Sequence, residues 1–562
     1  MGCFPPRFLR FAGIGAIIAV SVGLGGGLAA QSLRGVGDDA LTVPAGTFRV
    51  GIDATWTLFS DVYGPGGTLR PVGAALSTDS LGVRQIPALQ PLQSALQSLT
   101  GAPGMNLSLG KTLVSTNNRV QSTPIQIEFG VTHWLQIGVS VPLVKTRASV
   151  FARANPAGTE GNVSVNPAQG GSQFQSATPQ YDADTAFINQ LSRAAVAVQS
   201  YCAGAGAGST QCTNNASLGT SAQSFSTALQ QVYIASALVP VGTSDIQAAI
   251  DSRSAGFKSA LNSFAAISGS GVPAVTATGV VGAFGPLTTP QYQTLVTSDT
   301  LVGLLADSVN MIERWHVGDI EASAKVLLFD TFHGDQQARM TPHGINGRVA
   351  VGAAFRFPTG STPDPNALLD VDAGTHSGAV GLRGYADLLL GSHFWTSIVA
   401  RYDNPLGSDV TLRIPDSTGN GYLAAYRRAT VHRTLGKMIE MEATPRWAFN
   451  DFVSLSLQYQ YRHKAVDEYT GTPFTVGPTT QTGGATITID PTLAGANTDL
   501  TEHRVGGGLS FSNARAASQG RGRIPFEAMY LHLQTVKGTG GYVPKLFVDE
   551  IQLRVYTKLF GR

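Results

Sequence analysis

Residues 124–144 read PIQIEFGVTHWLQIGVSVPLV. Ile125, Ile127, Phe129 and Val131 alternate with Gln126, Glu128 and Thr132. After a short turn at His133-Trp134, Leu135, Ile137, Val139, Val141 and Leu143 alternate with Gln136, Gly138 and Ser140. Successive side chains of a strand point to opposite faces, so this pattern is a hairpin with one apolar and one polar face. A soluble sandwich alternates too, and one hairpin does not separate the two. Length and repetition do.

The period recurs along the chain. Phe48, Val50, Ile52, Ala54, Trp56 and Leu58 oppose Thr47, Arg49, Asp53, Thr55 and Thr57. Further segments fall at about 316–330, 345–358, 379–390, 394–405, 435–449, 452–465, 499–512, 523–536 and 546–560. That makes about twelve strands, an even number, with fourteen the competing count. The links sort by length. Those after strands two, six and eight are short (Thr132–Trp134, Gly391–His393, Asn450-Asp451), and those after four and ten are intermediate. Those after strands one, three, five, seven and nine are long. Short turns at one end and long loops at the other mark a transmembrane barrel. The expected fold class is therefore an all-β transmembrane antiparallel barrel, with a mainly helical insert between strands 3 and 4.

Composition agrees. Only 13% of residues are charged and Gly numbers 66, against about 25% charge in ordinary soluble chains. Much of the surface is thus expected to face something other than water. A formal net charge of +2 gives no reason to expect nucleic acid. Residues 1–30 read as an export signal: Arg7 and Arg10, an apolar run Phe11–Leu24, then small residues to Leu28-Ala29-Ala30. Beyond it no apolar run reaches the length of a membrane helix. After such a signal is removed, Cys202 and Cys212 remain in YCAGAGAGSTQC, an expected disulfide in an oxidising compartment. Two thiols with no nearby His make a poor metal site, so no metal and no cofactor are expected.

The chain then divides into the signal (1–30), strands 1–3 with a long first loop (31–151), the insert (152–315) and strands 4–12 (316–562). The insert opens on Pro156–Gly171, which reads as mobile loop. Helical spacing follows at Ala186, Phe187, Leu191, Ala194, Ala195 and Val198, and again at Ile246, Ile250, Phe257, Leu261 and Phe264. Residues 222–237 and 290–313 also read as helix, the latter with Leu295, Leu301, Leu304, Leu305 and Val309. A cap outside the barrel, a plug folded inward and a partly disordered loop are all open to it. Leu89, Leu92, Leu96 and Leu99, within 86–100, share helical spacing and are placed to pack against it.

The polar parity of the strands carries the candidate site. Arg49, Asp53, Glu128, Asp319, Glu321, Lys325, Arg356, Arg383, Asp387 and Arg401 are expected to line the lumen. So are Asp403, Glu440, Glu442, Arg446, Arg462, Glu502, Arg504, Glu550, Arg554 and Lys558. Both signs are present, so the charges can pair across the interior. They read either as a permeation path with selective rings of charge or as a salt-bridged structural filling. Trp134, Phe394, Trp395, Trp447, Phe449 and Phe452 lie beside short turns and read as an interfacial girdle. No catalytic signature appears: no G-x-S-x-G, no H-E-x-x-H and no Walker A loop. A wall dyad of Ser454 or Ser456 with His503 is disfavoured because His503 shares the lipid-facing parity of Val505 and Leu509.

PIQIEFGVTHWLQIGVSVPLV (124–144), VAVGAAFRFPTGS (349–361), IPFEAMY (524–530) and YVPKLFVDEIQLRVYTKLFG (542–561) resemble a superfamily of outer-membrane β-barrels. It includes the MetA-pathway phenol-degradation proteins and related hydrocarbon transporters. "FPTG" at the outer end of a strand is typical of that group. The resemblance covers most strands and not 152–315. It implies a bacterial outer-membrane barrel admitting small, hydrophobic solutes, and it transfers no binding residue. The aromatic last strand (Tyr556, Leu559, Phe560) resembles the signal read by the outer-membrane assembly machinery, although Gly561-Arg562 follows it. Expected partners are therefore outer-membrane lipid, that machinery and an unidentified small solute. Phe187, Phe257 and Phe264 are candidate capture surfaces. A surface-display or adhesion barrel and a barrel-wall hydrolase are the competing functions.

Overall fold

A computed structural model describes residues 19–22, 38–169, 178–297, 302, 304, 311–333, 342–362, 364–367, 369–372, 374–416, 420–518 and 524–558. The twelve strands are β1 (Thr47–Phe59), β2 (Thr112–Gly130), β3 (Leu135–Ala154), β4 (Ile312–Val317 and Glu321–Asp330), β5 (Ile345–Arg356) and β6 (Ala379–Leu390). They continue as β7 (Phe394–Pro405), β8 (Met438–Ala448), β9 (Val453–Lys464), β10 (Leu500–Ser512), β11 (Phe526–Gly540) and β12 (Phe547–Lys558). Each pairs antiparallel with the next. β12 returns to β1 with Thr47 opposite Lys558, which closes the ring.

Period-two alternation does here what it predicts. Ile52, Ile127, Ile137, Val139, Leu382, Ile398, Met441, Leu457 and Leu553 are exposed on the outer face, while charged residues fill the inside. Keeping one such aliphatic side chain in water instead of burying it forgoes about 1.5–3 kcal/mol. A whole band of them is stable only against hydrocarbon. A closed barrel also satisfies its backbone without water, so the molecule is a transmembrane barrel.

β2 and β3 have 19 and 20 residues, about twice what a bilayer crossing needs. They project beyond the apolar band at the long-loop end. There α1 (Gln90–Thr100), α2 (Pro179–Ala203), α3 (Thr210–Asn214), α4 (Leu218–Leu229), α5 (Asp245–Ala265) and α6 (Thr289–Thr297) gather. Their apolar faces share one core with Val114, Ala152 and Ala154 of the projecting strands. Ser244 and Thr178 cap α5 and α2 by accepting backbone N–H bonds, which satisfies donors the first turn leaves orphaned. Cys202 and Cys212 are bonded, with Cα atoms 5.5 Å apart. Tyr292 and Tyr422 join hydroxyls at 2.9 Å, and Tyr422 also donates to the Leu76 carbonyl at 2.8 Å. Three long loops are thereby tied at one buried point.

Several expectations change. The strands flanking the insert reach Ala154 and resume at Ile312, so it spans 155–311. The stretch read as mobile loop holds Val163–Val165, paired with Leu238–Pro240. Asn166 ties it down through bonds to Tyr233 and Ser236 carbonyls. Helix over 290–313 holds only to Thr297; Leu301, Leu305 and Val309 lie outside the described residues. So do most of the expected signal and Leu559–Arg562. Ala19–Val22 pairs with Leu369–Asp372.

Candidate functional site

The lumen is built by the inward parity of all twelve strands. Arg49, Asp53, Glu128, Asp319, Glu321, Lys325, Arg356, Arg383, Asp387, Arg401, Asp403, Glu440, Glu442, Arg462, Glu502, Arg504 and Glu550 are each at most 6% exposed. Arg446 and Arg554 are half-buried. Lys558 sits opposite Thr47, and its side chain lies outside the described residues.

These groups are organised in clusters. Arg401 donates to Glu440 at 2.6 Å and Glu442 at 2.9 Å. Glu440 also faces Arg462 at 3.3 Å, and Arg462 reaches Glu502 at 3.1 Å. Glu502 accepts from Arg504 and from Thr535. On the adjoining arc, which shares β7 with the first, Arg356 and Arg383 both straddle Glu321 and Asp403, at 2.5–3.7 Å. Arg49 is paired with Glu128, which also accepts from Gln136 at 2.6 Å. Buried charges survive only when paired and hydrogen-bonded, and removing one partner typically costs about 3–5 kcal/mol. Alternating sign within these clusters meets that condition, while Asp53 and Glu550 accept from the amides of Gln126 and Gln552.

Asp319 belongs to a different device. One carboxylate oxygen accepts from Gly360 N–H at 2.8 Å, and the other from Thr375 N–H and Oγ1 at 2.6 and 2.8 Å. Thr359 Oγ1 donates to the Gly318 carbonyl and accepts from Ile320 N–H. The Phe357–Gly360 motif thus clasps the jog between the two pieces of β4. A Cβ on Gly360 would stand 2.6 Å from Gly374 Cα and 2.8 Å from Asp319 Oδ1. Only glycine fits there.

Sequence reasoning missed three parts of the lumen. Arg348, on the parity of Arg356, pairs with Asp387 at 2.8 Å. Lys464, on the parity of Arg462, pairs with Asp467 at 2.6 Å. The third is not a strand. Residues 38–44 enter the short-turn end as a strap. Lys325 Nζ contacts Asp38 at 3.3 Å and donates to the Asp39 carbonyl. Ala40 N–H donates to Asp387 at 3.1 Å, and Val43 N–H to Gln136 at 2.9 Å. Ala40 packs among the inward-facing Leu327, Ala350, Tyr385 and Val399. The acidic pair Asp38-Asp39, just before a strand in a charge-poor chain, was the available signal.

Trp395 is corrected. Its register partner is Arg446, whose guanidinium lies 5.9 Å from its ring centroid. It therefore sits on the inward parity, while Phe394 and Trp447 meet outside at 6.5 Å. Trp134, Trp447, Phe449 and Phe452 are exposed beside the short turns. Phe187 and Phe264 are buried in the insert's own core and Phe257 packs on Phe225, so none offers a capture surface. The hydrolase dyad does not assemble: His503 faces out to the Tyr459 hydroxyl, whereas Ser454 and Ser456 point inward to Ser510 and the Gly508 carbonyl.

The wall itself is interrupted at mid-height. Pro124 and Pro142 stand opposite each other, and neither has an N–H to give. The β1–β2 ladder skips from Ile52–Ile125 to Thr55–Ser122. The β3–β4 ladder skips from Ser140–Glu321 to Leu143–Val317, with Gly318 N–H donating to the Pro142 carbonyl at 2.8 Å across the skip.

No protein-family profile matches the chain, and no curated protein matches it. Among solved structures it is similar to the COG4313 outer membrane channel from Pseudomonas putida F1, at 7% identity and TM-score 0.38, over 93% of this chain and 100% of that one. It is also similar to a Pseudomonas aeruginosa FadL homologue, at 9% identity and TM-score 0.27, over 98% and 100%. The P. putida toluene transporter TodX gives 9% identity and TM-score 0.25, over 92% of each chain. At such identities and scores these structures assign nothing to individual residues.

Proposed function

We propose that the protein is an outer-membrane channel for small solutes, with a lumen closed at rest by the strap at its short-turn end. The observation that carries this reading is the strap itself. A purely structural barrel has no need of a segment held inside it by side-chain contacts to Lys325, Asp387 and Gln136. Those anchors are few and polar, so they can be exchanged for water. The lumen charges then set selectivity, and the helical insert stands over the other mouth as a cap.

The test is single-channel conductance of the refolded full chain in planar bilayers, beside Lys325→Met. Rare, small openings in the parent and longer or larger ones in the variant support a strapped channel. Silence from both overturns the polar-lumen reading.

A second reading, sideways release of a hydrophobic solute through the wall, is favoured by the paired proline gaps of β1–β4. A hydrophobic solute gains nothing from a path of paired charges and would leave through the gap into the bilayer. Its signature is uptake of a small aromatic hydrocarbon into liposomes without any conductance.

A further inference from the structure

The outer face of the projecting β2–β3–β4 sheet changes character abruptly. On β3, Ile137, Val139 and Leu143 are exposed and apolar. The next outward positions are Lys145 and Arg147. From Leu135 to Leu143 the strand rises about 26 Å, or about 20 Å across a bilayer at the usual barrel tilt of about 40°. An apolar band is about 25 Å tall, so Lys145 and Arg147 stand where hydrocarbon ends.

Register builds a cluster at that level. Arg119 of β2 lies directly opposite Arg147 of β3, and Arg147 directly opposite Glu313 of β4. One step nearer the band, Lys145 sits opposite Trp315, with its ammonium 5.3 Å from the indole centroid. On the other flank Arg119 faces Leu58 of β1, which brings no charge. Glu313 bridges to Lys145 at 2.6 Å and reaches Arg147 only at 4.0 Å. Three cations thus stand together on an exposed facet where Lys145 and Arg147 divide one carboxylate. Among the described residues Arg119 has no carboxylate within ion-pair distance. Two arginines directly opposite each other on a sheet repel. An anion seated between them relieves that repulsion. Trp315, 62% exposed beside it, is an interfacial side chain.

We propose that Arg119, Lys145 and Arg147 form a binding facet for the phosphate groups of a phosphorylated glycolipid in the outer leaflet around the barrel. The guanidinium fork matches phosphate geometry. Acyl chains descend along Ile125, Ile137, Val139 and Leu143, and Trp315 packs at the glycerol or sugar level. The inference rests on the outer-membrane location given above and is independent of transport.

The experiment is native mass spectrometry of the delipidated full chain in detergent. It is titrated with bis-phosphorylated lipid A, with the same lipid dephosphorylated, and with inorganic phosphate. The phosphorylated lipid should be retained well above the dephosphorylated one, and inorganic phosphate should not bind. Arg119→Gln/Arg147→Gln should lower retention by about thirtyfold, the loss of two headgroup-level cations. Arg119→Lys/Arg147→Lys should recover most of it, which separates charge loss from misfolding. Heat-modifiable gel mobility confirms that each variant is folded. Equal retention of both lipids, or no loss in a folded double-Gln variant, overturns the proposal. Selective binding by a barrel that never conducts leaves it standing and removes only the transport reading.

Discussion

Asp184, within the insert, has no exposed surface, and among the described residues its carboxylate has one partner: Oδ1 accepts from Val281 N–H at 2.8 Å. Burial pushes its pKa up from 3.8 to about 7, the single backbone bond only partly opposing it. The folded insert therefore holds a proton that the unfolded chain has released. Stability is fully present below about pH 4 and is lost as pH rises through about 7. Asp184→Asn keeps the acceptor and removes the charge. At pH 8 the variant insert should resist urea better by about 2–4 kcal/mol, and at pH 4 it should match the parent. Pulse proteolysis of the insert at the two pH values reads this out, and an equal shift at both would refute it. At this scale the lumen was largely legible in advance, because a side chain's face follows from its parity. Trp395 was misread for a related reason: proximity to a turn was weighed above the parity it shares with Arg401. Asp319 was placed inward correctly, but its partners, Gly360 and Thr375, come from a loop whose path no local pattern reveals.

Among the elements, the insert depends most on its own covalent tie. The disulfide closes a ten-residue separation between the end of α2 and α3, worth about 3 kcal/mol by loop-closure entropy. Cys202→Ser/Cys212→Ser should lower the urea midpoint of insert proteolysis while the barrel keeps its heat-modifiable gel mobility. Loss of barrel mobility would show that the two are one cooperative unit. Helix spacing found α2 and α5 because their buried faces repeat every three or four residues. It overextended the last helix, where apolar residues continue past Thr297. It could not find the short pairing of Val163–Val165 with Leu238–Pro240. Three residues per strand carry no usable period, and their partners lie more than seventy residues apart.

The whole molecule is a ring whose closure does not pass through the insert. β4 pairs with β3 from Glu321–Ser140 to Val326–Leu135 below the projecting sheet. Replacing residues 155–311 by a short Gly-Ser linker should therefore leave a barrel that still runs folded on an unheated gel. A chain that no longer folds would mean that the insert's core, not the ladder, holds β3 and β4 in register.

The sequence by itself determined a barrel of about twelve strands, the face of most strand side chains and the sorting of links into two ends. These follow from covalent geometry: alternation is built into every extended residue, and hydrocarbon outside with charge inside imprints it. Only the tertiary structure decided the rest. It placed residues 38–44 inside the ring, set Pro124 against Pro142, gave Asp319 to the Phe357–Gly360 clasp and laid Arg119 beside Arg147. Each of these depends on which residue of one strand meets which residue of another. Register and non-local docking are settled by the balance of the whole ring, and no stretch of chain records them alone.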